Sequence, residues 1–249
     1  MRPVLSSKRR GLLAFALLGA AMLAVPRLLS GRGETITAHD RAPGFRLLQT
    51  DAVSLRMDPF VGLDNTQSGD PVAVTPDDLC AVLFGGGIYS DRPQVAYFTD
   101  ANCPQCRILD RWLKDIPPSE AEITVHDLPL LGPSSIAAAR AIGAAGLMGA
   151  EAQMRARLHR SRVSPDPAYL RQIADGLGLD AGRLLANLER PEVDAQISEN
   201  LGAAALLGIP GTPALVIGDV VVIGRIEEAQ FDRLLARYRP APCMRGGSA

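Results

Sequence analysis

The run QVAYFT at residues 94–99, followed at once by DANCPQC, constrains this chain more than any other part of it. It is a short apolar run of strand formers, bounded by Pro93 and Asp100, and it reads as a buried strand. After it, Ile108, Leu109, Trp112, Leu113 and Ile116 recur on one helical face until Pro117 and Pro118 stop the helix. EITVHDL at 122–128 alternates and reads as a second strand. A strand, a helix and a strand with a crossover of this length imply a parallel pair.

The two cysteines of CPQC, Cys103 and Cys106, fall where strand gives way to helix, with Pro104 in the first turn. A helix N-terminus presents unsatisfied N–H groups and the positive end of the dipole. A thiolate at Cys103 is stabilised there, so its pKa is expected below that of a free thiol. Cys106, one turn later, is expected to be the more buried. An exposed attacking thiol with a near partner is what dithiol–disulfide exchange needs. A zinc clip and an inert staple are the competing readings. Structural zinc takes four ligands, usually a second CxxC or a His pair. Here Cys80 and Cys243 are isolated, and His39, His126 and His159 are scattered. The spacing alone does not decide, but the helix-start position and the lack of further ligands favour redox chemistry, with no metal and no organic cofactor. His126 reads as a surface residue near a strand end, and not as a base.

The rest of the chain completes a small α/β core. Residues 134–207 are rich in Ala, Leu, Arg and Glu, and Gly and Pro divide them into helices near 134–148, 149–160, 166–177, 180–189 and 191–207. Val193, Ile197 and Leu201 mark the buried stripe of the last one. TPALVIG and VVVIGR then read as two strands joined by a tight turn at Gly218-Asp219. Phe231, Leu234, Leu235 and Tyr238 give a closing amphipathic helix. Pro213 stands at the start of a clear strand, where a missing N–H is tolerated. Upstream, TPDDLCAVLFG predicts a short helix capped by Thr75 with Pro76 in its first position. FRLLQ and AVSLRM predict a small hairpin around Thr50-Asp51, inside an otherwise polar linker.

The N-terminus sets the compartment. Arg2, Lys8, Arg9 and Arg10 precede the apolar run Gly11 to Val25, the pattern of an export signal or membrane anchor. A cut after Ala21, with Gly19 two residues before it, meets the small-residue rule but leaves MLAV behind, so cleavage and retention both fit. The body of the protein is expected beyond the membrane, where thiols oxidise. Cys80 and Cys243 are then expected to form a structural disulfide between the N-terminal extension and the C-terminal tail. An electron relay to Cys103 and Cys106, and unpaired or intermolecular cysteines, are the alternatives. A formal net charge of −1 and 4% aromatic residues argue against a nucleic-acid partner.

Strand–CPQC–helix, followed much later by GTPA entering a hairpin and a closing helix, resembles the thioredoxin fold. FTDANCPQC is similar to the entry of the DsbC/DsbG branch, and LPLLGPSSIAAARA to the segment opening the helical insert of DsbA-like members. The resemblance covers about residues 90 to 238. It implies an α/β, thioredoxin-like fold with an inserted helical subdomain at 134–207. The expected domains are a signal or anchor at 1–29, a linker and short extension at 30–90, the thioredoxin-like domain at 91–240 and a tail at 241–249. It also implies that Pro213 is cis and lies against the CxxC. The backbone of Thr212 would pair with a client segment, with Pro104 and Gln105 beside it.

The implied activity is protein thiol-disulfide exchange with cysteine-bearing clients in the periplasm, soluble or tethered to the inner membrane, with a membrane redox protein as partner. An isomerase or reductase of the same fold and a metal-binding chaperone or assembly factor are the alternatives. Two departures stand out. Tyr97 occupies the place, six residues before Cys103, where such enzymes often bury an acid. A proton carrier would then have to be Asp100 or a water, although Asp100 reads more readily as a turn or cap residue. Gln105 replaces the histidine of strong oxidants, so the thiolate of Cys103 is expected to be stabilised less than in them.

Overall fold

The computed structural model describes residues 36–50, 73–85, 92–160 and 165–244. The apolar run 11–25, the AVSLRM segment and the end of the tail lie outside them. Among the described residues no helix is long and apolar enough to cross a membrane. The strands are β1 (Thr37–Ala38), β2 (Arg46–Gln49), β3 (Gln94–Thr99), β4 (Glu122–Asp127), β5 (Ala214–Ile217) and β6 (Val220–Ile223). The helices are α1 (Leu79–Phe84), α2 (Cys106–Leu113), α3 (Pro133–Gly146), α4 (Glu151–Leu158), α5 (Pro167–Leu177), α6 (Ala181–Asn187), α7 (Pro191–Leu206) and α8 (Glu228–Leu235). The strands form one sheet in the order β1-β2-β6-β5-β3-β4.

β3 and β4 run parallel from Gln94 opposite Glu122 to Thr99 opposite Asp127, with α2 as the crossover. β5 lies antiparallel on the other side of β3, and β6 turns back beside β5. Every residue of β3, β5 and β6 is buried, which is why these strands read as unbroken apolar runs. Side chains still alternate between the faces. Val95 and Tyr97 join Leu109 and Leu113 of α2 and Phe231 and Leu234 of α8. Ala96 and Phe98 join Leu79, Leu83 and Phe84 of α1 and Ala203 and Ala204 of α7. Helices α3 to α6 carry a core of their own around Ile142, Met154, Leu170, Ile173 and Leu184.

Helix ends follow their caps. The Asp166 carboxylate accepts the Tyr169 N–H at 2.8 Å ahead of α5, and Asp180 accepts the Arg183 N–H at 2.7 Å ahead of α6. At the hairpin, Gly218 has φ +54, and a Cβ there would stand 2.0 Å from the Arg239 carbonyl oxygen. Both the turn and the close passage of the C-terminal segment require glycine.

Four expectations are corrected. Helix α1 begins at Leu79, because Thr75 and Asp78 bind each other, Oγ1 to Oδ2 at 2.6 Å, and close a turn ahead of the helix. In α7, Val193 is buried but Ile197 and Leu201 are only half-buried. The deeper face is Asn200, Gly202, Ala203 and Ala204, whose small side chains allow close approach. The third correction concerns the boundary at residue 90. FRLLQ, expected to pair with AVSLRM, instead places β2 parallel to β6, Arg46 opposite Val220. The Arg46 guanidinium also reaches the buried Asp219 at 2.5 Å, where Arg239 arrives at 2.9 Å. Sheet pairing and this charge cluster bring the extension into the domain.

The fourth is His126, expected at the surface. It is buried and stacks on Phe98, with ring centroids 4.9 Å apart. Its Nε2 donates to the Leu83 carbonyl and its Nδ1 faces the Asn200 side chain, each at 3.0 Å. Elements distant in sequence, α1 and α7, cover it. Burial pushes the imidazole below its ordinary pKa, against the upward pull of these two partners. The unfolded chain therefore binds a proton here that the folded chain resists, so stability is kept above about pH 6.5 and lost as pH falls below it. Urea midpoints at neutral and mildly acidic pH are expected to fall with pH, and to fall less in His126→Gln.

Cys80 of α1 and Cys243 of a 3-10 turn (Pro242–Met244) are disulfide-bonded, with Cα atoms 5.7 Å apart and a separation of 163 residues. Closing so long a loop restricts the unfolded chain strongly. Replacing both cysteines by alanine is expected to cost about 2–5 kcal/mol in urea unfolding, without loss of the sheet by circular dichroism.

Candidate active site

β3 ends at Thr99 and hands the chain to a tight loop that Asp100 organises. Its carbonyl accepts the Cys103 N–H at 3.0 Å. Its buried carboxylate accepts the Asn102 N–H at 2.8 Å, the Leu130 and Leu131 N–H groups at 2.9 and 3.1 Å, and the Ser135 hydroxyl at 2.7 Å. The Asn102 amide adds bonds to Ser134 and Ser135 at 3.2 and 3.0 Å. Asp100 thus ties the loop bearing Cys103 to the LPLLGPSS segment that starts α3. Burial raises the carboxyl pKa, and the four donors pull it back down. Its geometry is that of a turn residue.

Cys103 and Cys106 are disulfide-bonded, with Cα atoms 5.3 Å apart. The Cys106 N–H points at the Cys103 sulfur from 3.0 Å, and the Cys103 carbonyl accepts the Arg107 N–H at 3.4 Å. Cys103 therefore stands one turn ahead of the first residue of α2, where backbone N–H groups favour negative charge on sulfur. The expectation of an exposed attacker is corrected: Cys103 and Cys106 are both fully buried. The disulfide turns the Cys103 sulfur inward onto the start of α2. What the motif shows to solvent is Pro104, with Gln105 half-exposed.

Thr212–Pro213 is a cis peptide. β5 pairs with β3 as Ala214 opposite Phe98, so one further step of the register sets Pro213 beside Thr99, where the chain departs toward Cys103. The Pro213 carbonyl accepts the Gly224 N–H at 2.9 Å, which fixes the loop to the end of β6. Thr212 and Pro213 are both buried. The register thus brings the cis-proline and the cysteines, far apart in sequence, to one end of the sheet. Cys80 and Cys243 belong to the packing of α1.

A polar group on the inner side of α2 was not foreseen. The Tyr97 hydroxyl donates to Asp110 at 2.9 Å and lies 3.3 Å from the Cys106 carbonyl oxygen. Asp110 in turn meets His159 Nδ1 at 2.8 Å. Arg107 donates to the carbonyls of His159 and Ala101 at 2.9 and 3.0 Å. Asp110, four residues after Cys106, could have been found from helical spacing. His159 could not, because it comes from the far end of α4.

Residues 94–236 match the family model of the DSBA-like thioredoxin domain. The chain belongs to the DSBA-like thioredoxin domain family. It is a thiol-disulfide oxidoreductase, and the Cys103–Cys106 disulfide agrees with that activity. Among solved structures, a thioredoxin-like oxidoreductase from Silicibacter pomeroyi DSS-3 is similar at 30% identity. It covers 63% of this chain and 95% of its own, with a TM-score of 0.57. A periplasmic thioredoxin-like protein from Salmonella enterica serovar Typhimurium is similar at 25% identity over 64% of this chain and 94% of its own, with a TM-score of 0.50. The catalytic domain of Proteus mirabilis ScsC shares the fold at 23% identity over 65% of this chain and 97% of its own, with a TM-score of 0.54. No curated protein sequence matches the chain. Of the expected insert at 134–207, α3 to α6 share a core of their own, whereas α7 packs on the sheet, and Asp100 ties the cysteine loop to the start of α3.

Asp100→Ala removes the acceptor of four hydrogen bonds at that junction. It is expected to lower stability by about 2–4 kcal/mol in urea unfolding, and Asp100→Asn by less, since an amide keeps one acceptor.

Proposed function

We propose that this protein is an exported disulfide-exchange enzyme that acts on cysteine-bearing client proteins through Cys103 and Cys106. The observation that carries this reading is the Cys103–Cys106 disulfide at the head of α2, at the same end of the sheet as the cis Thr212–Pro213 peptide.

A client thiolate reaches the Cys103 sulfur, buried in the oxidised form, only as the exposed Pro104 side of the motif gives way, and it then attacks that sulfur. The Cys103–Cys106 bond breaks, a mixed disulfide forms, and Cys106 leaves with the electron pair. A second client thiolate then attacks the client sulfur and releases Cys103 as a thiolate, so the client gains a disulfide and the enzyme two electrons. In the reverse direction the Cys103 thiolate opens a client disulfide and Cys106 resolves the mixed bond. The Cys106 N–H, 3.0 Å from the Cys103 sulfur, supports a thiolate there in both directions. Thr212 and Pro213, buried here, would pair with an extended client segment once docking uncovers them, with Pro104 and Gln105 at the border.

The periplasm is the compartment, supported by the basic and apolar N-terminal segment and by the likeness to the periplasmic Salmonella protein. That segment serves as export signal or inner-membrane tether. A membrane redox protein returns the pair to its working state. Direction follows the midpoint potential: a value near −270 mV marks a reductase, and one near −120 mV a disulfide donor.

Cys103→Ser is expected to abolish dithiol-driven insulin reduction. Cys106→Ser is expected to accumulate a mixed disulfide with a thiol-bearing client, seen as a reducible adduct by mass spectrometry. Exchange retained by Cys103→Ser removes the reading.

A further inference from the structure

Cys106 is fully buried, and its thiol must lose a proton before its sulfur resolves a mixed disulfide. The polar group on the inner side of α2 is placed to receive it. Asp110 follows Cys106 by four residues, so the two side chains share a face of α2 one turn apart. The Tyr97 hydroxyl holds Asp110 against this turn of α2, donating to Asp110 Oδ1 at 2.9 Å and lying 3.3 Å from the Cys106 main-chain carbonyl oxygen. Asp110 Oδ2 lies 2.8 Å from Nδ1 of His159, the residue that closes α4. His159 is 7% exposed, and its Nε2 is buried and finds no hydrogen-bond partner among the described residues. A buried ring nitrogen left unmatched is costly in a purely structural position.

We propose that Asp110 and His159 are the proton-accepting pair for Cys106, with the Tyr97 hydroxyl holding Asp110 in position. This rests on thiol exchange at Cys103 and Cys106. As the Cys106 sulfur attacks the Cys103 sulfur, its proton passes to the Asp110–His159 pair one turn along α2. The pair ends one proton richer. The bond between Cys103 and the client breaks, the Cys103–Cys106 bond forms, and the client sulfur leaves as a thiolate with the electron pair. No further oxidant enters.

The other groups facing the pair are Arg107 of α2, which donates to the His159 carbonyl, and Asp127 of β4, whose charge acts on Tyr97. Asp127 is itself bound by Arg155 of α4, which also holds Glu151. Burial, with Asp110 alongside, pushes the Tyr97 hydroxyl well above its ordinary pKa. Tyr97 therefore stays neutral and keeps its proton for the bond to Asp110.

The test separates the two sulfurs. The reduced protein is mixed in stopped flow with the aromatic disulfide dithio-bis-nitrobenzoate. A first aromatic thiolate reports attack by Cys103, and a second reports resolution by Cys106. Asp110→Asn and His159→Asn are each expected to slow the second phase roughly 10- to 100-fold near neutral pH and to leave the first within about 2-fold. The deficit should narrow as pH rises, since hydroxide can then take the Cys106 proton without the pair. In His159→Asn the amide keeps an N–H for Asp110, so a merely structural role predicts full recovery there. Tyr97→Phe removes only the hydroxyl and covers the case in which the polar variants fail to fold. It too should show the slow second phase. A second phase at the wild-type rate in the folded variants overturns the proposal. Absence of both phases in the wild-type protein would instead refute thiol exchange itself.

Discussion

The carboxylate of Asp100 is the interaction on which the site depends. A buried carboxylate is tolerable only when its oxygens are well supplied with donors, and Asp100 has four. Those donors come from three places: the loop before Cys103, the segment after β4 and the first turn of α3. One side chain therefore sets the position of Cys103 against the end of β4 and against the helical insert. The same residue, through its carbonyl, holds the Cys103 N–H and so directs the chain into α2. Without it the cysteine loop would be joined to the insert mainly by the bonds of Asn102 and Arg107.

The insert is held at a second point by charge. Arg155 of α4 reaches both oxygens of Asp127 at 3.2 and 2.8 Å and takes Glu151 at 2.5 Å. The Arg155 and Asp127 side chains are mostly buried, at 13% and 11% exposure, so neither charge is well solvated without the other. This pair sits at the C-terminal end of β4, beside the end of β3 that leads to the cysteines. The insert is thus clamped to the redox end of the sheet at Asp100, at Asp127 and at Asp110. Each clamp is an acid on the thioredoxin-like part facing donors on or next to the insert.

Much of this was legible in the sequence, because local patterns specified it. The unbroken QVAYFT run, the amphipathic α2, the Gly218-Asp219 turn and the Pro- and Gly-divided insert each carry their periodicity or punctuation in a few residues. What was not legible depends on partners distant in the chain. RLLQ reads as a strand, but only β6 and the buried Asp219 determine which strand it joins. His126 alternates with apolar neighbours like any strand residue, and its burial is decided by Leu83 and Asn200. Tyr97 was visible as the residue in an acid's place. Its partner Asp110 lay within helical reach, but His159 arrives through tertiary packing alone.

The two disulfides differ in a way that suits them to different work. Cys103 and Cys106 lie 3 positions apart in sequence, and Cys80 and Cys243 lie 163 apart. On the chain-entropy account, the short loop contributes only about 2 kcal/mol to stability and the long one about 5 kcal/mol. Opening the short bridge leaves the sheet, the Asp100 tie and the insert in place, so the pair can cycle between oxidised and reduced forms without risking the fold. Opening the long one frees α1 from the C-terminal turn and loosens the cover over Phe98 and His126. A protein that handles the disulfides of others is thereby built so that its own exchange is thermodynamically mild at one end of the sheet, while the bridge that its stability needs is confined to the packing of α1.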